Sequence, residues 1–298
     1  MKKLLFIAPA LLVLFTAFIQ KKKNKPRLPE EYVFIPGGTY SIKSDSDDVM
    51  TEKPGNRAVV ISFYMSKYEV SNLQYRQFYN EVSVQMPEEE KQKIACDSLG
   101  WRNELTYSEP LVEYYYRHPS FNNYPAVNIP YEGALAYCRW LQEKLKENNP
   151  GFEIEVSLPS KEQFVWAAQG KRSNAMYPWG NYYLRNNKGE FLCNFKKLGD
   201  QAITRNRQTG KPEVHEESYG LSDKSFYTAS VKSFYPNDFG LYNTCGNAAE
   251  MINQEGIAMG GSWNDFGGDV HIRSESVYEK PLPTVGFRPV ITVKEKKQ

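Results

Sequence analysis

The stretch Leu241–Met251, LYNTCGNAAEM, combines oxygen-bearing side chains with small residues. Asn243 and Glu250 supply side-chain oxygens, while Gly246 and Ala248 offer backbone carbonyls from an irregular loop. Calcium takes about six to eight hard oxygen ligands and accepts mixed sets of this kind. The stretch therefore indicates either a calcium-binding loop or a polar turn that leads into a strand or a short helix.

The composition favours a compact domain rich in turns and irregular backbone. The chain has 298 residues, of which 41% are hydrophobic and 24% charged, with 20 glycines and 18 prolines. This length suits one large domain or two small ones. The many turn-forming residues argue against a helix bundle.

Residues 1–27 differ in character from the rest of the chain. A basic start precedes an apolar run from Leu4 to Ile19, and five cations follow it: Lys21, Lys22, Lys23, Lys25 and Arg27. This pattern predicts a signal peptide or an uncleaved N-terminal membrane anchor. The run is slightly short for a bilayer span. No convincing small-residue cleavage site follows it, however, and the anchor is the favoured alternative.

The same segment predicts where the protein resides. No cysteine follows the apolar run, so a lipoprotein modification there is excluded. We expect an exported protein of the periplasm or cell envelope, anchored by residues 4–19. Residues 1–27 hold seven Lys/Arg and no Asp/Glu, which leaves 30 basic against 35 acidic residues in the remainder. That balance gives a nucleic-acid partner no electrostatic support.

Cysteines and histidines give no sign of a metal cluster. The four cysteines are widely spaced and form no C-x-x-C motif, so a zinc site is not expected: Cys96, Cys138, Cys193 and Cys245. Mostly buried free thiols are favoured over one or two disulfides, whose pairing the sequence does not fix. The three histidines, His118, His215 and His271, have no metal-type spacing, and there is no nucleophile elbow, P-loop or dinucleotide fingerprint.

Periodicity predicts two strands around a Pro-Gly-Gly turn in residues 31–42, another strand in 58–70, and three helices. The helices are expected in residues 71–82, 131–148 and 157–170. Ser71 with Gln74 and Ser160 with Gln163 form capping-box patterns, and Gly170 suits a helix stop. Residues 83–123 lack a clear period and are interpreted as a long insertion. Residues 204–222 form a second insertion, interpreted as a solvated loop.

Seven motifs follow one another in a specific order: FIPGGTY, YPAVNIPYEGALAYCRWL, SLPSKEQFVWAAQG, YPWGN, VKSFYPNDFGLYNTCGNAAEM, GGSWND and VGFRPV. In this order they resemble the formylglycine-generating enzyme (sulfatase-modifying factor) family along nearly the whole chain after about residue 31. The resemblance implies one domain over residues 28–298. It also implies an α+β fold, a variant of the C-type-lectin-like fold with little regular secondary structure.

The resemblance also implies two calcium sites. In the enzymes of the family, one calcium is held at the positions that correspond here to Asn243, Gly246, Ala248 and Glu250. A second is held at the positions that correspond to Asn194, Phe195, Asp223 and Ser225. Calcium is therefore the expected cofactor.

The catalytic positions depart from the family pattern in the stretch GGSWNDFGGDVHIR. Enzymes that resemble this chain carry two copper-binding cysteines, two and seven positions past the aromatic residue of the Gly-Gly-Ser-aromatic run. Those positions are Asp265 and Val270, and no cysteine follows residue 245. Thiolates are the soft ligands that hold copper(I), so we expect no copper and no formylglycine generation by the known route. Ala249, Met251 and Met259 also replace family residues of the groove.

Sulfoxide synthases of the ergothioneine type share the fold and lack the cysteine pair. They take iron from histidines in a preceding helical domain, and this chain has neither. The favoured function is therefore a non-catalytic envelope scaffold with unidentified envelope protein partners. The aromatic insertion and the stretch Tyr114–Ile129 resemble those of gliding-motility and type IX secretion proteins. The alternative is an enzyme that uses Asp265, Asp269 or His271 for different chemistry in the same groove.

Overall fold

The computed structural model describes residues 25–41, 57–102, 108–196, 201–205, 209, 212–216 and 227–296. The apolar run Leu4–Ile19 lies outside the described residues, as do Asp223 and Ser225. Within the described ranges, no helix is both long and apolar enough to span a bilayer.

Two four-stranded sheets and two strand pairs form the β-structure. The strands are β1 Tyr32–Ile35, β2 Gly38–Ser41, β3 Arg57–Val60, β4 Phe63–Ser66, β5 Phe152–Ser157, β6 Gln201–Arg205, β7 Pro212–Glu216, β8 Ala249–Met251, β9 Ile257–Met259, β10 Glu275–Val277, β11 Val285–Phe287 and β12 Val290–Glu295. The first sheet has the order β1-β4-β12-β5 and the second β10-β9-β8-β11, while β2 pairs with β3 and β6 with β7. Only the β8–β11 pairing is parallel among these strands.

Five α-helices accompany these strands in the described residues. They are α1 Asn72–Val82, α2 Glu88–Ile94, α3 Glu109–Tyr114, α4 Tyr131–Asn148 and α5 Lys161–Gln169. The mixture of helices with mainly antiparallel sheets confirms the predicted α+β class.

Helices α1 and α5 confirm their predicted capping boxes. The Ser71 side chain accepts a hydrogen bond from the Gln74 N–H, and the Gln74 side chain accepts one from the Ser71 N–H. Ser160 and Gln163 form the same reciprocal pair, which satisfies two backbone donors at the helix start. Gly170 ends α5 at φ +63°, a left-handed conformation that glycine adopts without a steric penalty.

The Ser160 cap gives a first testable prediction. Replacing Ser160 with alanine is expected to lower the free energy of unfolding by about 1 kcal/mol, because a backbone donor loses its partner. Urea unfolding would measure the loss. Ser173→Ala, at an exposed position, is the control and should change stability by less than about 0.5 kcal/mol. Equal values for the two variants would contradict the role of the cap.

Helix α4 has the predicted bounds and covers one face of the first sheet. Its buried stripe includes Ala134, Cys138, Leu141 and Leu145, which pack in one hydrophobic cluster with strand residues of β5 and β12. The predicted stripe member Leu135 is only partly buried and packs against the margin of this cluster. The apolar spacing of α4 thus places the helix on the sheet.

The strand prediction for residues 58–70 was wrong in one respect. The segment contains two strands, β3 and β4, with exposed Ile61 and Ser62 between them. β3 pairs with β2, whereas β4 pairs with β1 and β12. The different pairing partners divide a run that local alternation cannot distinguish from one strand.

Both predicted insertions contain regular structure. Residues 83–123 hold α2, α3 and three short 3-10 helices, and residues 103–107 lie outside the description. The interpretation of residues 204–222 as a loop was wrong for residues 204–205 and 212–216, which lie in β6 and β7. These two strands pair antiparallel, with Thr204 opposite Glu213. Residues 206–208, 210–211 and 217–222 lie outside the described residues.

The cysteine thiols lie mostly in the core, as predicted. Cys138, Cys193 and Cys245 are buried and Cys96 is partly buried. Burial raises the pKa of both Cys96 and Cys138 to about 12. Both side chains are therefore neutral thiols with little nucleophilic character at ordinary pH.

Candidate functional site: a buried carboxylate and amide cluster beside the glycine loop

Arg288 and Glu250 form a buried ion pair at the centre of the second sheet. Glu250 lies in β8, and Arg288 follows β11, the parallel neighbour of β8. The guanidinium donates to both carboxylate oxygens, from Nε at 2.9 Å and from Nη2 at 2.6 Å. Such a bidentate pair has the fork geometry that suits a carboxylate.

The remaining Arg288 donors reach backbone carbonyls from other parts of the chain. Nη1 donates to the carbonyls of Ser66 at 3.1 Å and Lys67 at 2.7 Å, and Nη2 donates to Tyr242 at 2.6 Å. The Arg288 side chain is fully buried. One cation therefore connects β4, the loop before Asn243 and the strand that carries Glu250.

A second buried carboxylate, Glu69, lies beside this pair. Its two oxygens accept hydrogen bonds from the side-chain amides of Asn243 at 3.0 Å and Asn247 at 2.7 Å. Burial raises the pKa of Glu69 to about 7; Arg288 opposes this effect, while Glu250 adds to it. Two carboxylates thus share one guanidinium in a region shielded from water.

Left-handed backbone shapes the loop that carries these amides. Asn243, Gly246 and Asn247 have φ values of 52°, 73° and 66°. A Cβ at Gly246 would lie 2.3 Å from the carbonyl oxygen of Asn194. That same oxygen accepts the Asn247 N–H at 2.8 Å, so a residue without a side chain is required where the two loops touch.

Asn194 brings an unsatisfied oxygen to this junction. Its Nδ2 donates to the Tyr227 carbonyl at 2.8 Å and to Asn247 Oδ1 at 3.3 Å. Its Oδ1 is buried and has no hydrogen-bond partner among the described residues. A buried acceptor without a donor is costly unless a ligand or water satisfies it.

The structure places six of the eight predicted calcium ligands. Asn243, Gly246, Ala248 and Glu250 lie on one loop and strand, and Asn194 with Phe195 lies on the neighbouring loop. Side-chain amides, carbonyls and a carboxylate are donor types that calcium prefers. Among the described residues, no group of three or more His, Cys, Asp or Glu side chains could hold a metal ion.

The glycine loop begins with two residues in the left-handed region. Gly260 and Gly261 have φ values of 89° and 70°. A Cβ would lie 2.8 Å from the Thr244 carbonyl oxygen at the first position and 2.7 Å from the Asp269 carbonyl oxygen at the second. Both glycines of the GGSW sequence are therefore required, because a side chain at either position would collide with neighbouring backbone.

Asp265 and Val270 both have a structural role in this loop. One Asp265 carboxylate oxygen accepts hydrogen bonds from the Ser262 N–H at 2.8 Å and the Ser262 hydroxyl at 2.7 Å. Val270 is completely buried and packs with Cys193 and Phe195. The first side chain closes a turn and the second fills a core.

Asp269 and His271 take part in the next turn. The Asp269 side chain is exposed, and its carbonyl accepts the Ser274 hydroxyl. His271 Nδ1 accepts the Arg273 N–H at 3.2 Å, and the His271 N–H donates to Ser274 Oγ at 3.2 Å. The imidazole Nδ1 of His271 is thus engaged with the backbone. These contacts give no specific support to the alternative that Asp269 and His271 perform acid–base chemistry.

Residues of the 83–123 insertion cover the glycine loop. The nearly buried Trp101 stacks on Trp263 with ring centroids 6.2 Å apart, and it also contacts Tyr115 at 4.6 Å. Trp263 donates its indole N–H to the Pro283 carbonyl at 2.9 Å. Ala248 packs in the same cluster, so the insertion, the glycine loop and the loop of Asn243 share one core.

Comparison with known proteins identifies the family. Residues 18–293 match the family described as the sulfatase-modifying factor enzyme 1-like domain. The chain belongs to this family. The buried Asn243, Gly246 and Glu250 and the GGSW loop thus occupy a fold that the sulfatase-modifying factor family shares.

Curated relatives include proteins named as enzymes and others named as inactive. The formylglycine-generating enzyme of Bos taurus is 26% identical over 252 residues, which cover 77% of this chain and 59% of the enzyme. The "Inactive C-alpha-formylglycine-generating enzyme 2" of Bos taurus is 24% identical over 270 residues, covering 78% and 76% of the two chains. The chain spans less than two thirds of the length of the bovine enzyme.

Solved structures show the same fold. PvdO from Pseudomonas aeruginosa superposes with a TM-score of 0.56 at 16% sequence identity, covering 87% of this chain and 93% of that one. The predicted formylglycine-generating-enzyme variant of the C-type-lectin-like fold is confirmed.

Sequence reasoning missed three members of the buried cluster. Glu69 and Asn247 were not singled out, and Arg288 was noted only within the VGFRPV motif. Arg288 had the clearest signal, because a charged residue between apolar residues near strands calls for a buried partner. Glu69 had none, since its partners lie far away in the sequence.

Proposed function

We propose that this protein is a non-catalytic scaffold or interaction protein of the cell envelope, built on a sulfatase-modifying factor domain. The observation that carries the proposal is the pair Asp265 and Val270. The formylglycine-generating enzymes that the sequence resembles carry copper-binding cysteines at these two positions. Here the positions hold a turn-closing carboxylate and a buried valine, and neither is a soft ligand for copper(I).

The covered glycine loop supports the proposal. Trp101 lies against Trp263, and the Trp263 indole N–H is already bonded to Pro283. A protein substrate that approached the loop at Trp263 would have to displace the insertion. The relatives named as inactive enzymes add support, since they show that proteins of this family also occur without the activity.

We further propose that calcium binds at two sites, one on each of the two loops of the cluster. Asn243, Gly246, Ala248 and Glu250 would supply one donor set, and Asn194, Phe195, Asp223 and Ser225 the other. The unsatisfied Oδ1 of Asn194 supports a ligand at this position. Burial raises the pKa of the neighbouring Glu69 to about 7, and a cation bound beside it would favour its ionised form. Calcium would serve here as a structural ion that contributes no chemistry.

Calcium binding leads to a second testable prediction. Saturating calcium is expected to stabilise the protein by about 2.7 kcal/mol at a concentration one hundred times the dissociation constant, seen as a higher melting temperature than with chelator. Asn194→Ala should reduce this difference, because it removes the unsatisfied oxygen Oδ1. Asn187→Ala, at an exposed position, is the control and should retain it. An identical melting temperature with calcium and with chelator would contradict the prediction.

The same proposal includes location and partners. An anchor formed by Leu4–Ile19 would tether the domain to a membrane, and its partners would be envelope proteins, in an assembly similar to gliding-motility or type IX secretion machinery. The surface loops of an α+β domain can present such contacts on a rigid frame.

Metal and oxygen measurements on the native protein test the absence of catalysis. We expect calcium, no stoichiometric copper or iron, and no oxygen consumption with a thiol substrate. The double variant Asp265→Cys with Val270→Cys serves as the positive control for copper(I) binding. Stoichiometric copper or iron with oxygen consumption in the unmodified protein would overturn the scaffold function. Cross-linking in native membranes should yield a defined envelope partner. Substituting the exposed residues of this protein at the cross-linked surface should abolish the contact with that partner.

A further inference from the structure

An apolar groove lies on the first sheet beside the point where the described chain begins. Its lining includes Phe34, Tyr64, Phe152 and Val293, with Lys25 at the rim. Phe34 and Tyr64 contact each other edge to face at 5.3 Å. Even with this contact, Phe34 is 54% exposed. The groove thus leaves an aromatic side chain of β1 in solvent.

Two further exposed apolar side chains lie in the chain just before the groove residue Ser62. Ser62 lines the groove, and Ile61, the preceding residue, is 79% exposed. Val59 is 75% exposed, whereas Val60 between them is buried. In extended backbone, alternate side chains point to the same side. We call the surface of Phe34, Val59, Ile61 and the groove the N-terminal pole.

The N-terminal segment is bound to the end of α4 by hydrogen bonds. The Arg27 N–H donates to Asn149 Oδ1 at 2.6 Å, and Asn149 Nδ2 donates to the Arg27 carbonyl at 3.1 Å. Leu28 packs against the main core cluster. The position of Lys25 is therefore determined by the end of α4.

The sequence places the apolar run close to this position. Ile19 and Lys25 are separated only by the five residues Gln20–Asn24. Fully extended, this connection reaches about 20 Å. If the run inserts in a bilayer, the N-terminal pole is held within that distance of the lipid surface.

Charge around the connection favours one kind of lipid. Lys21, Lys22, Lys23, Lys25 and Arg27 provide five cations within seven residues. Each basic residue near an anionic lipid surface contributes about 1 kcal/mol. Glu295 also lines the groove and opposes this attraction, so the apolar side chains must supply part of the binding free energy.

We propose that the N-terminal pole docks on an anionic lipid surface, with Phe34 and Ile61 at the level of the headgroups. This inference rests on the membrane tether of the proposed function and adds an orientation to it. Aromatic and aliphatic side chains beside basic residues are the combination that binds a membrane interface.

Depth-dependent quenching on the full chain tests this orientation. The protein would be reconstituted in vesicles of phosphatidylcholine with phosphatidylglycerol, carrying a fluorophore at Ile61→Cys and spin-labelled lipid as quencher. Native cysteines are poor competitors for the label, because three are buried and Cys96 has a pKa raised to about 12. We expect strong quenching at position 61 and weaker quenching in phosphatidylcholine alone.

Val277→Cys is the matched control. Val277 is 76% exposed, close to the exposure of Ile61. Burial raises the pKa of the next residue, Tyr278, and the nearby Tyr131 and Glu132 at the start of α4 add to the rise, whereas Arg27 is bound at the end of this helix. An 18-residue helix is about 27 Å long, so a label at position 277 should escape the quencher.

The outcomes separate docking from tethering. Equal quenching at positions 61 and 277 overturns the docking surface, and so does retention on vesicles without quenching at position 61. Loss of the full chain from vesicles after a high-salt wash overturns the tether, and the docking with it. With the docking surface correct, Phe34→Ser reduces quenching at position 61 while the chain stays on the vesicles.

Discussion

Replacing Arg288 with methionine is expected to lower the free energy of unfolding by about 3–5 kcal/mol, measured by urea unfolding in the presence of a chelator. The reason is that Glu250 loses both of its charge-assisted hydrogen bonds while Glu69 remains buried beside it. The carbonyls of Ser66, Lys67 and Tyr242 lose a donor as well. The loss therefore combines an uncompensated charge with unsatisfied backbone acceptors.

Arg102→Met is the matched control for this prediction. Arg102 also pairs with a carboxylate, Glu109, but both side chains are about half exposed. An exposed pair of this kind contributes about 0–1 kcal/mol. A loss in Arg288→Met no larger than in the control would contradict the stabilising role of the buried pair. Adding Glu250→Met to Arg288→Met should recover stability, because the unpaired carboxylate is then removed.

Replacing Gly246 with alanine is expected to cost about 3 kcal/mol or more. The new Cβ would lie 2.3 Å from the Asn194 carbonyl oxygen, which forces the two loops apart, and overpacking of this kind costs about 1–3 kcal/mol. The positive φ of 73° adds strain of about 1–2 kcal/mol for a residue with a side chain. Thermal or urea unfolding would measure the sum.

Gly189→Ala separates the two contributions. Gly189 has a φ of 81°, and a Cβ there would meet nothing within 4 Å. Its alanine variant should show only the conformational strain, about 1–2 kcal/mol. If Gly246→Ala were no less stable than Gly189→Ala, the close approach of Asn194 would not be a constraint. Gly246→Ala should also diminish the calcium-dependent rise in melting temperature, since it displaces Asn194.

Local sequence signals account for the elements that were predicted correctly. The bounds of α4 follow from its apolar spacing, and the starts of α1 and α5 follow from Ser71 and Ser160 with their glutamines. Each of these signals acts within one or two helical turns. They are therefore visible without any knowledge of tertiary contacts.

The features that escaped prediction depend on distant partners. The 3-10 turn that carries Trp101 is held by ring contacts with the distant Trp263 and Tyr115, which no local periodicity reveals. The division between β3 and β4 depends on β2, β1 and β12. In the candidate site, the resemblance to known enzymes located the loop of Asn243. Only the structure brought Glu69 next to it.

The position of β12 has a consequence for the timing of folding during synthesis. This strand lies between β4 and β5 and pairs with both, although it begins 133 positions after the end of β5 and 224 positions after the end of β4. The first sheet cannot close until Val290–Glu295 has left the ribosome, and Arg288 reaches Glu250 only at the same stage. Non-local pairing of this kind slows folding. The core of the first sheet therefore stays incomplete in the nascent chain until translation has passed β12.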